Sequence, residues 1–132
     1  MLIVDASCLY EVVADGARSD EVRERLRSDS DQTAPHVLDA EVLGIIRRDL
    51  MLGRLDRTAA FQAVEDLREW PGERFSHRAL LARAWDLRDR VRTWDALYVA
   101  LAEALDGTLL TLDARLARID GLDCHVEVPG GS

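Results

Sequence analysis

The sequence predicts an α/β fold, a three-layer α/β/α sandwich in which helices cover both faces of a short, mainly parallel central sheet. Short apolar runs suited to buried strands alternate along the chain with longer segments of helical periodicity. The chain has 132 residues, of which 48% are hydrophobic and 32% charged, which is the size and composition of one globular domain. We expect that domain over residues 1–128, followed by a flexible tail at residues 129–132.

Four short segments have the character of strands. The runs LIV and TLLTL are apolar and short, as buried central strands are, and ERFS predicts a further short strand. The segment CHVEV alternates and ends at Pro129, which predicts an edge strand. The predicted strands cover residues 2–4, 73–76, 108–112 and 124–128.

The segments between these runs carry signals of helix starts and ends. Ser7 is a candidate N-cap of the first helix, which Gly16 ends. Pro35 lies near the start of a longer helix, and Thr93 is expected to cap the most apolar one. The predicted helices cover residues 7–16, 19–28, 34–53, 56–72, 77–91, 93–107 and 113–118.

The charge of the chain is negative overall but uneven. The formal net charge is −8, every basic residue is arginine, and this balance argues weakly against a nonspecific nucleic-acid binder. Residues 74–92 nevertheless hold six arginines against two aspartates. An amphipathic helix with a solvated arginine face explains this segment most simply. Contact with phosphates or with a second subunit are the alternatives.

Composition also narrows the location of the protein and the kind of metal site. No apolar run could span a bilayer, and the N-terminus lacks the features of a signal sequence, so we expect a cytoplasmic protein without membrane association. Cys8 and Cys124 are far apart and belong to no metal-binding pair. Both are expected to be small core residues.

Four acidic residues stand in positions that need an explanation. Asp5 and Asp113 each follow a predicted buried strand, and the carboxyl ends of parallel strands meet at one edge of a sheet. Glu41 lies on the apolar face of its helix, where a carboxylate is costly unless it meets a cation or lines a cleft. Asp95 falls in the first turn of the most apolar helix.

Each acid also has a plain structural explanation. Asp5 and Asp113 are both placed to cap a following helix. Asp95 would complement a helix dipole, and Glu41 could pair with Arg48. As a set they point elsewhere, because clustered carboxylates repel one another and take up protons or bind cations. Hard oxygen ligands without clustered histidine or cysteine favour Mg²⁺ or Mn²⁺, and such a pocket suits phosphoryl transfer by activated water.

The order of four stretches gives the chain a family resemblance. LIVDASCLYEVV, PHVLDAEVLGIIRR, RTWDALYVALAEAL and LLTLDARLAR together span nearly the whole chain. In this order and spacing they resemble the PIN-domain family and, within it, the VapC-type toxins of bacterial toxin–antitoxin pairs. The resemblance implies a compact α/β/α sandwich and a metal-dependent endoribonuclease.

The resemblance also assigns roles to individual residues. The acids that it implies for catalysis and for binding Mg²⁺ or Mn²⁺ are Asp5, Glu41, Asp95 and Asp113. The hydroxyls that it implies as supporting groups are Ser7 and Thr93, and Thr111 is added as a similar group. Arg92 and Arg115 lie close to these acids along the chain and are candidates for contact with RNA phosphates.

The partners implied by the resemblance are protein and RNA. Such toxins form homodimers and are held inactive by a VapB-type antitoxin, whose C-terminal segment lies over the active-site groove. The implied substrate is structured RNA, either tRNA or rRNA. Trp70, Trp85 and Trp94 could stack on bases or pack in cores and interfaces, and packing is the favoured expectation.

Three alternatives differ from this interpretation. Receiver domains and haloacid-dehalogenase-type phosphatases also place aspartates around Mg²⁺, but both resemblances imply a lysine that this chain lacks. A PIN-fold module that binds RNA or an antitoxin without cutting would use the acids structurally. An RNA-processing PIN nuclease that is not a toxin would share the site and differ in its biological role.

Overall fold

The structure, a computed structural model, describes residues 1–130 and confirms the predicted fold class. Within that range five strands form one all-parallel sheet. They are β1 (Leu2–Val4), β2 (Gln32–Pro35), β3 (Glu73–Phe75), β4 (Thr108–Leu110) and β5 (His125–Glu127). Their spatial order is β3-β2-β1-β4-β5, so β1 is the central strand.

Helices connect the strands and cover the sheet. The α-helices are α1 (Ala6–Val13), α2 (Ser19–Arg27), α3 (Val37–Met51), α4 (Arg57–Glu69), α5 (Leu81–Asp86) and α6 (Thr93–Leu105). Two 3₁₀ turns lie at Arg78–Leu80 and Leu116–Arg118. Among the helices of residues 1–130, none has the length and apolar character needed to cross a membrane.

The strand order determines which face each helix covers. From β1 the chain moves outward to β2 and β3, and it then returns past β1 to β4 and β5. Right-handed crossovers therefore place α1 to α4 on one face and α5 and α6 on the other. The packing agrees, because α1 contacts α2, α3 and α4, whereas α6 contacts α5 and the three central strands. The connections reverse direction between β1 and β4, where a crevice opens at the carboxyl edge.

The core lies on both faces of β1 and β4. Ile3, Val4, Leu109 and Leu110 are completely buried, as the apolar runs predicted. Helix α6 contributes an almost continuous buried run from Ala96 to Ala102, so it is enclosed rather than amphipathic.

Three local predictions were wrong. Residues 32–35 form strand β2 rather than a helix start, because Pro35 ends the strand, where its missing N–H costs little. Asp5, not Ser7, caps α1, since the Asp5 carboxylate reaches the Cys8 N–H at 3.0 Å. Helix α6 has no side-chain cap, and Thr93 is its first helical residue.

The predicted helix over residues 77–91 is shorter and less regular than expected. It consists of the first 3₁₀ turn followed by α5, and it continues as turns after Asp86. Its apolar residues at helical spacing are nonetheless buried, namely Leu80, Ala84, Leu87 and Val91. Backbone hydrogen bonds from Arg88 to Trp85 and from Arg90 to Leu87 tighten the last turns to an i→i+3 pattern.

The end of the domain stays a prediction. Pro129 is buried, and its carbonyl accepts a hydrogen bond from Arg18 at 2.8 Å, so the first residue of the expected tail contacts the domain. Gly131 and Ser132 of that tail lie outside the described residues.

A buried acid outside the sheet edge holds the helices of the first face together. Asp49, near the end of α3, accepts a hydrogen bond from the Tyr10 hydroxyl of α1. Its second carboxylate oxygen lies 3.4 Å from Arg48 Nε and 3.5 Å from Arg54 Nη1. Its carbonyl accepts hydrogen bonds from the N–H groups of Arg54 and Leu55. The Tyr10 hydrogen bond lowers the pKa of Asp49, with further lowering from the two arginines.

We expect Asp49→Ala to lower the free energy of unfolding by about 2 kcal/mol, because the change removes a charge-assisted hydrogen bond and leaves Tyr10 without its partner. The folded-state pKa of Asp49 lies below the unfolded value. Its stabilising effect is therefore present above the unfolded pKa and is lost as the pH falls through the folded one. Urea titrations from pH 3 to 7 measure this, with exposed Asp89→Ala as control. An Asp49→Ala protein as stable as the control at pH 7 would contradict the assignment.

Candidate active site

All four predicted acids lie at the carboxyl edge of the sheet, beside the crevice between β1 and β4. Asp5 follows β1 directly, and Asp113 follows β4 by three residues. Helices α3 and α6 run antiparallel to the strands, so both begin at this edge. Glu41 and Asp95 lie near the starts of these helices and are therefore also at the edge. The fold thus brings together residues from four separate parts of the chain.

Asp5 is the most buried of the four acids. It is 6% exposed, and one carboxylate oxygen accepts hydrogen bonds from Ser7 Oγ at 2.6 Å and from the Cys8 N–H at 3.0 Å. Burial raises the pKa of Asp5, while the hydroxyls of Ser7 and Thr111 and the Cys8 N–H oppose that shift. The negative charge of Asp95 raises the pKa further. These bonds fix the orientation of a carboxylate that solvent does not reach.

Glu41 pairs with a residue that the sequence analysis did not single out. The Tyr98 hydroxyl, in the buried middle of α6, donates a hydrogen bond to Glu41 Oε1 at 2.9 Å. Burial raises the pKa of Glu41, the Tyr98 hydrogen bond opposes this, and the charges of Asp95 and Asp5 raise it further. The alternative in which Glu41 pairs with Arg48 is wrong, because Arg48 lies against Asp49 instead.

Asp95 is the acid that interacts with all the others. Its charge raises the pKa of both Asp5 and Glu41. Its own pKa is raised by burial and by the charge of Asp113, and is lowered by Arg92, whose Nε lies 3.8 Å from Asp95 Oδ2, and by Arg115. Asp95 therefore stands at the centre of the set.

Asp113 is held differently from the other three acids. Arg115 binds both of its carboxylate oxygens, at 3.1 Å each, and the Arg115 N–H donates to Oδ1 at 3.0 Å. The Asp113 N–H donates to Thr111 Oγ1 at 3.0 Å. Hydrogen bonding by Arg115 lowers the pKa of Asp113 below its ordinary value. Asp113 is therefore the acid most firmly kept ionised.

The supporting hydroxyls divide into two kinds. Ser7 Oγ donates to Asp5 and accepts the Leu112 N–H at 3.0 Å, so it ties the segment after β4 to the end of β1. Thr111 is completely buried between the acids. Thr93 is exposed and lines the groove described below, away from the hydrogen bonds around Asp5.

The donor set fits a hard cation, but it is not closed around one. The acids offer carboxylate oxygens from four elements, which Mg²⁺ and Mn²⁺ prefer. Within residues 1–130 no three histidine, cysteine or acidic side chains are already grouped closely enough to hold an ion. Two of the acids already have an arginine as partner, because Arg92 lies beside Asp95 and Arg115 binds Asp113. An ion would therefore have to compete with Arg115 for Asp113.

Two cavities meet at Asp95. A groove of about 1050 Å³ runs from Glu41 and Asp95 along α5 and is bordered by Trp85, Trp94 and Arg88. A smaller cavity of about 400 Å³ lies on the side of Asp113 and Arg115. Arg92 and Asp95 border both cavities, whereas Glu41 borders only the groove and Asp113 only the smaller cavity.

Two residues near the groove were missed in the sequence. Tyr98 could have been identified from the sequence, because a tyrosine in an almost entirely apolar helix needs a hydrogen-bond partner for its hydroxyl. Tyr98 also follows Asp95 by about one helical turn. His77 also borders the groove, and its Nε2 accepts the N–H of Val37, the first residue of α3, at 3.1 Å. Nothing in the sequence marks that contact, which joins residues 40 positions apart.

Comparison with protein families and known proteins identifies relatives of this chain. The family model of the PIN domain matches residues 2–122. Ribonuclease VapC1 of Mycobacterium tuberculosis is 39% identical over 127 residues, which cover 96% of each chain. Ribonuclease VapC3 of the same organism is 42% identical over 118 residues, which cover 89% of this chain and 85% of the relative.

A solved structure shares the fold at low sequence identity. The structure of VapBC2 from Rickettsia felis, bound to a DNA fragment from its promoter, superposes with a TM-score of 0.72 at 14% identity. The match covers 97% of this chain and 98% of the other. At this identity the likeness concerns the fold.

We expect Asp95→Asn to raise the free energy of unfolding in EDTA at pH 7, by an amount on the order of 1 kcal/mol, because it relieves repulsion at the centre of the acids. The folded-state pKa values of Asp5, Glu41 and Asp95 are raised. Their stabilising effect is therefore full below the unfolded pKa and is lost as the pH rises through the folded values. The decline in stability with rising pH should accordingly be shallower in the variant.

Urea unfolding in EDTA between pH 4 and 8 measures both effects, with exposed Asp89→Asn as the matched control. If Asp95→Asn destabilised the metal-free protein at pH 7 while the control did not, Asp95 would be a structural acid.

Proposed function

The chain belongs to the PIN domain family, and from that premise we propose that it is the toxin of a toxin–antitoxin pair and acts as an endoribonuclease in the cytoplasm. The relatives named above are VapC ribonucleases aligned over nearly their full length. The observation that carries the proposal is that four acids lie at the carboxyl edge of the sheet, where Asp95 borders one cavity together with Glu41 and a second cavity together with Asp113.

We propose that the four acids hold Mg²⁺ or Mn²⁺, and that RNA hydrolysis depends on it. When bound, such an ion stabilises the charge that builds on phosphate oxygens and makes water a better nucleophile at neutral pH. The ligands would be Asp5, Glu41, Asp95 and Asp113. The raised pKa values of the first three support this, because a cation would offset their burial and mutual repulsion.

The surrounding residues would keep these acids in place. Ser7 and the Cys8 N–H orient Asp5, and Tyr98 orients Glu41. Cys8 and Tyr98 are buried in the core, which favours the preorganisation that such a site requires. Arg92 borders both cavities and Arg115 borders the smaller one, and both are proposed to contact RNA phosphates.

The proposed partners follow from the same family. We propose a VapB-type antitoxin, a homodimer and a structured RNA substrate, either tRNA or rRNA. The structure of VapBC2 from Rickettsia felis, bound to a DNA fragment from its promoter, supports the antitoxin partner. An arginine of the antitoxin that reached Asp95 could form charge-assisted hydrogen bonds with its carboxylate.

We expect the purified protein, freed of any antitoxin, to cut total tRNA or rRNA into discrete fragments in Mg²⁺ or Mn²⁺ and not in EDTA. Asp95→Asn should reduce the rate at least a hundredfold, because it removes the acid common to all the interactions within the site. Denaturing gel electrophoresis of end-labelled RNA measures this.

Asp89→Asn is the control, since that side chain is exposed and outside the four acids. Cutting that persists unchanged in Asp95→Asn would reject the site. RNA binding by a folded protein without cutting in either metal would favour the non-cutting module. Metal-dependent cutting that harms no cells when the protein is expressed alone would favour an RNA-processing nuclease that is not a toxin.

We expect Arg115→Ala to have opposite effects on metal and on RNA. Releasing Asp113 from its two hydrogen bonds should strengthen Mg²⁺ binding to the free protein about threefold to tenfold. Loss of a cation beside the phosphate path should weaken RNA binding and flatten its salt dependence. Calorimetric titration with Mg²⁺ and filter binding of RNA measure the two effects.

The exposed Arg118→Ala variant is the matched control for both measurements. If Arg115→Ala bound RNA with the same affinity as the control, Arg115 would hold Asp113 in place without contacting RNA.

A further inference from the structure

Two tryptophans border the groove with their side chains open to solvent. Trp85 is 67% exposed and Trp94 is 55% exposed, although indole rings are usually largely buried. Trp70 shows the usual behaviour, because it is buried and its Nε1 donates to Gln32. The expected packing in the core is thus confirmed for Trp70, whereas Trp85 and Trp94 do not pack in the core, and their packing at an interface stays a prediction.

The first of these rings is held in place by a cation. The Arg88 guanidinium lies 4.6 Å from the centre of the Trp85 ring, and Arg88 also donates to the Trp85 carbonyl at 2.9 Å. A stacked arginine and indole form a flat surface that is apolar and positively charged at once. Trp94 directly precedes Asp95 in the first turn of α6, so the second ring is one residue away in sequence from one of the four acids.

The same groove joins these rings to the acids. It is bordered by Trp85 and Trp94 together with Glu41 and Asp95, and Arg88 and Arg92 add positive charge. Its volume of about 1050 Å³ lies at the upper end of the range for small-molecule pockets, so more than one ring system fits. Flat apolar surfaces alternating with cations match the alternating bases and phosphates of a nucleic-acid strand.

We propose that this groove binds an unpaired segment of the RNA substrate, with bases stacked on Trp85 and Trp94 and the backbone directed towards Asp95, an inference that rests on the proposed ribonuclease function. The rings of paired bases are hidden inside a helix, whereas bases of a loop or end are free to stack on aromatic side chains. The two tryptophans then select unpaired RNA and determine which phosphate reaches the acids.

A second copy of the chain is the competing occupant of an exposed apolar surface. The charges of the groove favour RNA over a second copy. The tryptophans lie among Arg88, Arg92, Glu41 and Asp95, whereas the centre of a stable protein interface is depleted of charged residues. Arg88 and Arg92, the arginines of the basic segment that border the groove, are exposed, which suits a polyanion.

Binding of RNA without metal tests the inference apart from catalysis. The probes are a fluorescein-labelled eight-nucleotide RNA without self-complementarity and the same strand annealed to its complement, both in EDTA at low salt. We expect wild type to bind the single strand at least tenfold more tightly than the duplex. Trp85→Ala and Trp94→Ala should each weaken single-strand binding about tenfold, and Trp94→Phe should retain most of the affinity because a ring remains.

Phe61→Ala is the matched control, because Phe61 is 69% exposed and lies on α4, on the opposite face of the sheet. Single-strand binding by Trp85→Ala and Trp94→Ala equal to that of the control would overturn the inference. So would a wild type that binds both probes alike. Alanine variants that are monomeric by light scattering where wild type is dimeric would assign the surface to a second copy and overturn it too.

The two proposals fail in different ways. Binding of the single strand that depends on the tryptophans, in a protein that cuts no RNA, would support the groove and overturn the nuclease. Metal-dependent cutting at the same positions and rates in wild type and in both alanine variants would support the nuclease and overturn the groove.

Discussion

The burial of Asp5 is the constraint on which the rest of the site depends. A carboxylate at the end of the central strand loses its water and must be compensated. Part of the compensation is local, since Asp5 caps α1 through Cys8 and accepts the Ser7 hydroxyl. Ser7 in turn accepts the N–H of Leu112, so the compensation of one acid also positions the segment that carries Asp113. The hydrogen bonds that compensate the buried charge thus link the end of β1 to the segment after β4, across the crevice.

The absence of lysine changes how charge is used in this protein. Arginine binds carboxylates through two parallel hydrogen bonds and stacks on aromatic rings, which lysine cannot do in the same way. Arg74 shows both, since it binds Asp39, donates to three backbone carbonyls and lies 4.9 Å from the centre of the Trp70 ring. Arg83 binds both oxygens of Glu103. The basic segment is therefore partly a set of structural ties, and the solvated arginine face that explains it most simply in sequence is only part of its role.

Elements with a clear local pattern could be predicted from the sequence, whereas elements and bonds that depend on tertiary contacts could not. Short apolar runs and the residues after them predicted β1, β4 and the shared edge that carries Asp5 and Asp113. Strand β2 was missed because QTAP has no apolar alternation and ends in proline; its pairing with β1 and β3 defines it. The Tyr98 bond to Glu41 and the clamp of Arg115 on Asp113 depend on side-chain orientation, which spacing alone does not give. Trp85 lies within α5 but off its buried side, which is marked by Ala84, and it is therefore exposed.

The arrangement of the acids also makes the site depend on the complete fold. Asp5, Glu41, Asp95 and Asp113 come from four elements, so the unfolded chain holds no such set. A cation that binds only the assembled acids stabilises the folded protein by mass action, and it offsets the repulsion that the fold itself creates. The apolar helix α6 supplies the necessary stability, since its buried run holds Asp95 and Tyr98 against the sheet. The helix that anchors the core thus also brings Asp95 and Trp94 to one groove, and a change in its packing would alter the proposed metal and RNA contacts together.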